Sequence, residues 1–134
     1  MFDVIVVGGS YSGISAALQL ARARRSVLVL DSGQRRNRFA SSSHGFLGQD
    51  GASPESIAQR GKAELLAYPT VSWRDVSVTR PEPRDGGFAV VAGSVTYESM
   101  RLILATGVVD ELPPIPGVAE LWGRRVFQCP YCHG

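Results

Sequence analysis

The segment from Asp3 to Asp31 limits what this chain can fold into more than any other. Asp3–Val7 reads DVIVV, a continuous apolar run of strand length that suits burial on both faces. It leads straight into Gly8-Gly9-Ser10-Tyr11-Ser12-Gly13. Ile14, Ala17, Leu18 and Ala21 then fall at i, i+3, i+4, i+7, the apolar face of one helix. Arg24 and Arg25 are read into its last turn, where positive charge suits the helix dipole. Val27–Asp31 (VLVLD) is a second buried strand that ends on an acid. Strand, glycine turn, helix and strand within about 30 residues make a βαβ unit.

This order carries a dinucleotide-binding fingerprint. Gly8 permits the tight turn, and Gly13 lets the helix lie close on the sheet. The helix N-terminus offers N–H groups and a positive dipole end to a pyrophosphate, so Ser10, Tyr11 and Ser12 become candidate ligands with Gly8 and Gly13. Asp31 falls about 20 residues after the turn, where a ribose-binding carboxylate belongs. One position departs from G-x-G-x-x-G: Ser10 takes the central glycine's place. Serine is small, and its hydroxyl can itself donate to phosphate. An ordinary strand–helix turn and a solvated strand-end acid are the bland alternatives.

Beyond Asp31, residues 32–51 carry Gly, Ser and Arg without periodicity, which predicts a long functional loop. Ser53 reads as an N-cap with Pro54 at the first position of a helix that runs to about Ala67, since Pro69 bars continuation. Three strand-like runs follow: Val71–Thr79, Phe88–Ala92 and Val95–Tyr97. A turn at Gly93-Ser94 joins the last two, which predicts a small antiparallel meander. Leu102–Ala105 is a further buried strand, stopped by Thr106-Gly107. Only the strands at residues 3, 27 and 102 read as parallel and buried. Pro113, Pro114, Pro116 and Gly117 mark a linker.

Composition narrows the class. The longest apolar runs are far too short to cross a bilayer. Met1-Phe2-Asp3 leads into the first strand with no charged leader, so a cytoplasmic protein is expected. Net charge is only +2, and the arginines at 22, 24, 25, 35, 36 and 38 have no interleaved aromatics, so no nucleic-acid partner is expected. Part of an anion site is the sharper reading of Arg35 to Arg38.

The only cysteines are Cys129 and Cys132, in CPYCHG. A C-x-x-C pair supports thiol–disulfide exchange, because the spacing closes a small disulfide ring and a nearby positive group lowers one thiol pKa. The same letters match a haem-attachment sequence and half a zinc site. Haem attachment needs an exported chain. Zinc needs two further ligands, and only His44 and His133 are available, so no metal site is expected. His133, which follows the pair, titrates near neutral pH and can take a thiol proton.

With VIVVGGSYSGISAALQLA, LILATG, PPIPG, WGRRV and CPYCHG in this order, the chain resembles the FAD-dependent thioredoxin reductase-like flavoproteins. Within them it is most similar to the branch carrying C-P-Y-C-H-G, which includes dithiol oxidases. The resemblance covers the whole chain. It implies an α/β fold: a Rossmann-like FAD-binding βαβ unit with a small antiparallel β-meander and an incomplete second domain. Residues 1–110 would form the N-terminal part of the FAD domain. Residues 111–134 would be a linker and the start of a redox-dithiol, pyridine-nucleotide-type domain. The sequence therefore reads as the N-terminal part of a longer enzyme.

The resemblance also implies roles. Cys132 would face the flavin and Cys129 would exchange with substrate. His133 stands where thioredoxin reductases usually have an acid–base aspartate, which shifts the expectation from thioredoxin reduction toward oxidation of a small dithiol. Ala105, Thr106 and Gly107 would border the FAD. The 32–51 loop would lie beside the flavin, within reach of Arg36, Asn37 and Gln49, with His44 either solvated or functional. Trp73, Tyr97 and Trp122 are expected in core or interface. The expected partners are a small dithiol or disulfide substrate or a thioredoxin-like protein, with a homodimer or an association with the missing part. The final electron partner would be oxygen, or NADPH bound in the missing domain. The alternative is a non-catalytic FAD- or nucleotide-binding fragment, or one part of a split assembly.

Overall fold

The computed structural model describes residues 1–130. Its chain divides into two compact units: Met1–Gln34 with Ala58–Gly107, and Arg35–Ile57 with Val108–Gly134.

The first unit is built on a six-stranded mixed sheet. Its strands are β1 (Phe2–Val7), β2 (Val27–Asp31), β3 (Val71–Asp75), β4 (Val78–Arg84), β5 (Gly87–Ala92) and β6 (Val95–Leu104), in the order β3-β2-β1-β6-β5-β4. β1, β2, β3 and β6 are mutually parallel, with Val4 opposite Val27 and Arg101, and Val27 opposite Val71. Helix α1 (Tyr11–Arg22) makes the crossover from β1 to β2. The two apolar runs are continuous because both faces of the strands are covered. Val4, Val6, Val27 and Val29 pack with Ala17 and Ala21 of α1 and with Leu65. Ile5, Val7, Leu28 and Leu30 pack on the other face with Val90 and Ala92 of β5.

The predicted α/β architecture is present, with three corrections. The run Val71–Thr79 is two strands: β3 adds a fourth parallel strand at one edge, and β4 begins the meander at the other. In the sequence β3 reads as part of the meander and not as a parallel strand, because at a sheet edge it carries Ser72, Arg74 and Asp75 instead of a pure apolar run. β4 includes Pro81 and Pro83, which an edge strand tolerates because one side needs no N–H donors. Val95–Tyr97 and Leu102–Leu104 belong to one long strand, and Ala105 follows it. The strand's first half pairs antiparallel with β5 and its second half parallel with β1, and Ser99 has a partner on each side. Ser99 is buried, and its hydroxyl is satisfied by donating to the Arg101 carbonyl at 2.8 Å. Finally, α1 ends at Arg22, before the arginines assigned to its last turn. Arg24 takes a left-handed conformation (φ 57°), and the N–H groups of Arg24 and Arg25 close the helix on the carbonyls of Ala21 and Leu20.

Helix α2 (Pro54–Leu66) starts as its sequence predicts: the Ser53 hydroxyl accepts the N–H of Ser56 at 3.1 Å, a cap worth about 1 kcal/mol. In the second unit, the 32–51 loop contains one turn of 3-10 helix, Arg36–Phe39. The proline-rich linker leads into a one-turn helix α3 (Val118–Leu121) and a bridge between Trp122 and Val126. No helix among the described residues is long and apolar enough to cross a membrane.

Candidate dinucleotide turn and dithiol segment

The candidate cofactor residues of the first unit meet at the C-terminal ends of its parallel strands. Gly8 continues β1 with φ 99°, and its N–H donates to Leu30 O at 2.8 Å. A Cβ on Gly8 would collide with the Ala105 carbonyl, and Ala105 N–H itself donates to Val7 O at 2.8 Å. The predicted A-T-G segment is therefore laid directly against the turn. Gly107 follows with φ 67°, a left-handed conformation that favours glycine. A Cβ on Gly13 would overlap the Gly8 carbonyl oxygen, so α1 can rise from the turn at this distance only with glycine there.

Ser10 is the N-cap of α1 and makes no side-chain cap bond, and no acid occupies the first turn. The hydroxyl of the substituted central position is thus not used to close the helix. The positive end of the dipole is not neutralised from within the helix either. Asp31, half-buried at the end of β2, turns Oδ1 to the Gly9 N–H at 2.9 Å. The expected ribose acid therefore also holds the turn, through one of its two oxygens. Glycines whose side chains would collide with the turn's own neighbours, a helix N-terminus with no acid in its first turn and an adjacent carboxylate together form a cradle that fits an adenine dinucleotide.

Sequence reasoning missed part of this cradle. Gly9 must be glycine because a Cβ there would run into the six-membered ring of Trp73. Trp73 packs on the α1-side core. Its Nε1–H donates to Asp75 Oδ1 at 2.8 Å. Lys62 Nζ lies 3.0 Å from the same oxygen and 4.2 Å from the indole centroid. The indole N–H, followed by Lys62, lowers the Asp75 pKa below its ordinary value. The signals available were the Gly8-Gly9 doublet and a tryptophan within the strand-like run Val71–Thr79.

The second unit holds Arg36, Gln49 and Cys129. Arg36 grips Asp110 with a two-point fork, Nε to Oδ2 at 2.9 Å and Nη2 to Oδ1. That contact lowers the Asp110 pKa. Arg35 pairs with Glu55. Phe39 lies against Gly123, where a Cβ would strike its ring and where φ is 76°. The loop that carries the arginines is therefore tied at two points to the segment that leads to the cysteines. Gln49 donates its N–H to Phe46 O inside a loop closed by Ser43 and Ala52. His44 lies 3.5 Å from Asp50 and 3.2 Å from the Ser42 hydroxyl, at the surface. Cys129 is half-buried just after the Trp122–Val126 turn. Cys132 and His133 lie outside the described residues.

The turn is of the dinucleotide-binding type, and comparison with known proteins gives the family. The family model for pyridine nucleotide-disulphide oxidoreductases matches residues 2–134. Thioredoxin reductase aclD of Aspergillus oryzae is 36% identical over 138 residues, which cover 100% of this chain and 44% of that protein. Thioredoxin reductase sirT of Leptosphaeria maculans is 35% identical over 139 residues, covering 100% and 42%. The crystal structure of an oxidoreductase from Agrobacterium tumefaciens superposes with a TM-score of 0.92 at 54% identity, covering 98% of this chain and 45% of that one. The chain belongs to the pyridine nucleotide-disulphide oxidoreductase family and resembles thioredoxin reductases within it. It spans less than half the length of these relatives.

Proposed function

We propose that this chain supplies the FAD-binding turn and the redox-active dithiol of a thiol–disulfide oxidoreductase. The observation that supports this most is the cradle formed by Gly8, Gly13 and Asp31, in a chain of this family that also carries a C-x-x-C pair. Ser10, Tyr11 and Ser12 would present the helix N-terminus to the pyrophosphate, Asp31 Oδ2 would meet the ribose, and Ala105 to Gly107 would border the cofactor. When bound, FAD supplies a two-electron couple that restores the state of the cysteine pair.

The chain's own part is exchange at sulfur. A substrate thiolate attacks Sγ of Cys129 in the Cys129–Cys132 disulfide, and Cys132 leaves as a thiolate. The second substrate thiolate then attacks the substrate sulfur of the mixed disulfide. Cys129 leaves as a thiolate and the substrate becomes a disulfide, so two electrons now reside on the pair. His133 takes up a proton from the substrate thiols. Run backwards, the same steps reduce a substrate disulfide. His133 in place of an aspartate favours the oxidising direction, with a small dithiol as substrate and oxygen as final acceptor. The reducing direction would draw on NADPH and a thioredoxin-like partner. On this reading the pair opens a second domain, the enzyme works in the cytoplasm, and two copies or a complementary part complete it.

The second reading is a nucleotide-binding part without turnover of its own, carried by the same glycine turn. Anaerobic addition of a small dithiol to the purified protein separates the two. The first reading expects a yellow protein whose flavin absorbance bleaches. Flavin that stays oxidised under excess dithiol supports the second, and a protein that takes up no added FAD overturns both.

A further inference from the structure

Trp73 touches the one part of the nucleotide turn that the fingerprint does not explain. Its six-membered ring occupies the space where a side chain at position 9 would begin, and the same hypothetical Cβ would lie 2.8 Å from the Cβ of Asp31. The Gly9 α-carbon thus faces both the indole and the Asp31 side chain, while the Gly9 N–H donates to Asp31 Oδ1 at 2.9 Å. The indole is itself restrained on two sides. Its N–H is held by Asp75 at 2.8 Å, and the Lys62 ammonium lies over its face while pairing with Asp75. Register adds a third restraint, because Trp73 is opposite Val29 and Asp75 is opposite Asp31 in the parallel β2–β3 pair. A tryptophan needed only for packing would not require its polar edge and its face both to be engaged at a half-buried sheet edge.

We propose that Trp73, locked by Asp75 and Lys62, is a positioning residue for the adenosine-diphosphate half of the cofactor, acting through the Gly9 amide and the Asp31 carboxylate. The ring backs Gly9 so that its N–H stays on Oδ1, which orients Oδ2 toward the ligand. This rests on the proposed FAD site. Because the contact is made on the turn, it concerns the diphosphate end and not the thiol chemistry.

The test is ADP affinity, measured by calorimetry on purified protein freed of flavin, for wild type, Trp73→Phe, Asp31→Asn and the double variant. Trp73→Phe keeps a ring in the core but lacks the N–H and the outer edge that backs Gly9. It should weaken ADP binding about tenfold, equivalent to about 1.4 kcal/mol. In the Asp31→Asn background the same change should cost less than about twofold, because the group it positions is gone. Lys62→Met should act in the same direction as Trp73→Phe. Unchanged ADP affinity in Trp73→Phe, or a full tenfold loss that adds to that of Asp31→Asn, would overturn the inference and leave the FAD site standing. A wild-type protein that binds neither ADP nor FAD would remove the site itself and the inference with it.

Discussion

Gly13→Ala is expected to lose FAD binding and to destabilise the fold by about 3 kcal/mol, at the upper end of overpacking costs. The reason is local. The added Cβ would overlap the Gly8 carbonyl oxygen, which is backbone and cannot rotate away. Gly8 cannot yield either. Its N–H is bonded to Leu30 O, and its own α-carbon faces the Ala105 carbonyl. Only α1 can move, and it carries Ala17 and Ala21 into the fully packed core on β1 and β2. Lifting the helix also draws its N-terminus away from the pyrophosphate position. Urea unfolding and FAD titration measure the two effects separately. A Gly13→Ala protein with wild-type stability and affinity would show that the turn is not the close-packed cradle described above.

The second large effect is expected at the dithiol. Cys132→Ser should slow flavin reduction by a small dithiol by on the order of a thousandfold or more, as when one member of a catalytic unit is removed. Serine cannot form the disulfide that the substrate thiolate attacks, so the exchange has no electrophilic sulfur to start from. FAD affinity should be unchanged, because the cradle residues Gly8, Gly13 and Asp31 belong to the first unit. Rapid-mixing absorbance under anaerobic conditions reads the rate directly. Wild-type bleaching rates in Cys132→Ser would mean that electrons reach the flavin without the pair.

How much of this was legible in the sequence depended on how local the signal was. The β1–turn–α1–β2 unit was readable because Val4–Val7 and Val27–Leu30 are buried on both faces and stay apolar throughout. Ser53 was readable because a cap acts three residues away. β3 and β4 were not separated, because edge strands tolerate charge and proline. β6 read as two strands because Glu98, Ser99 and Arg101 interrupt its apolar run where it changes partner. At the candidate site, Gly8, Gly13 and Asp31 were picked out by spacing, and the structure brings them together at one turn. Gly9 was passed over because its reason is a tryptophan on another strand. Arg36 was expected at the cofactor, and its guanidinium holds Asp110 across a sequence separation of 74, a pairing that no local pattern announces.

A reductive titration tests the proposed relay most directly. Flavin alone accepts two electrons, and a disulfide in redox contact with it is a further two-electron couple. Titrated anaerobically with a quantified reductant, the oxidised protein should take up about four electrons per FAD, with two protein thiols appearing on alkylation. Complete bleaching after only about two electrons, with no new thiols, would contradict the assignment of Cys129 and Cys132 as the partners of the flavin.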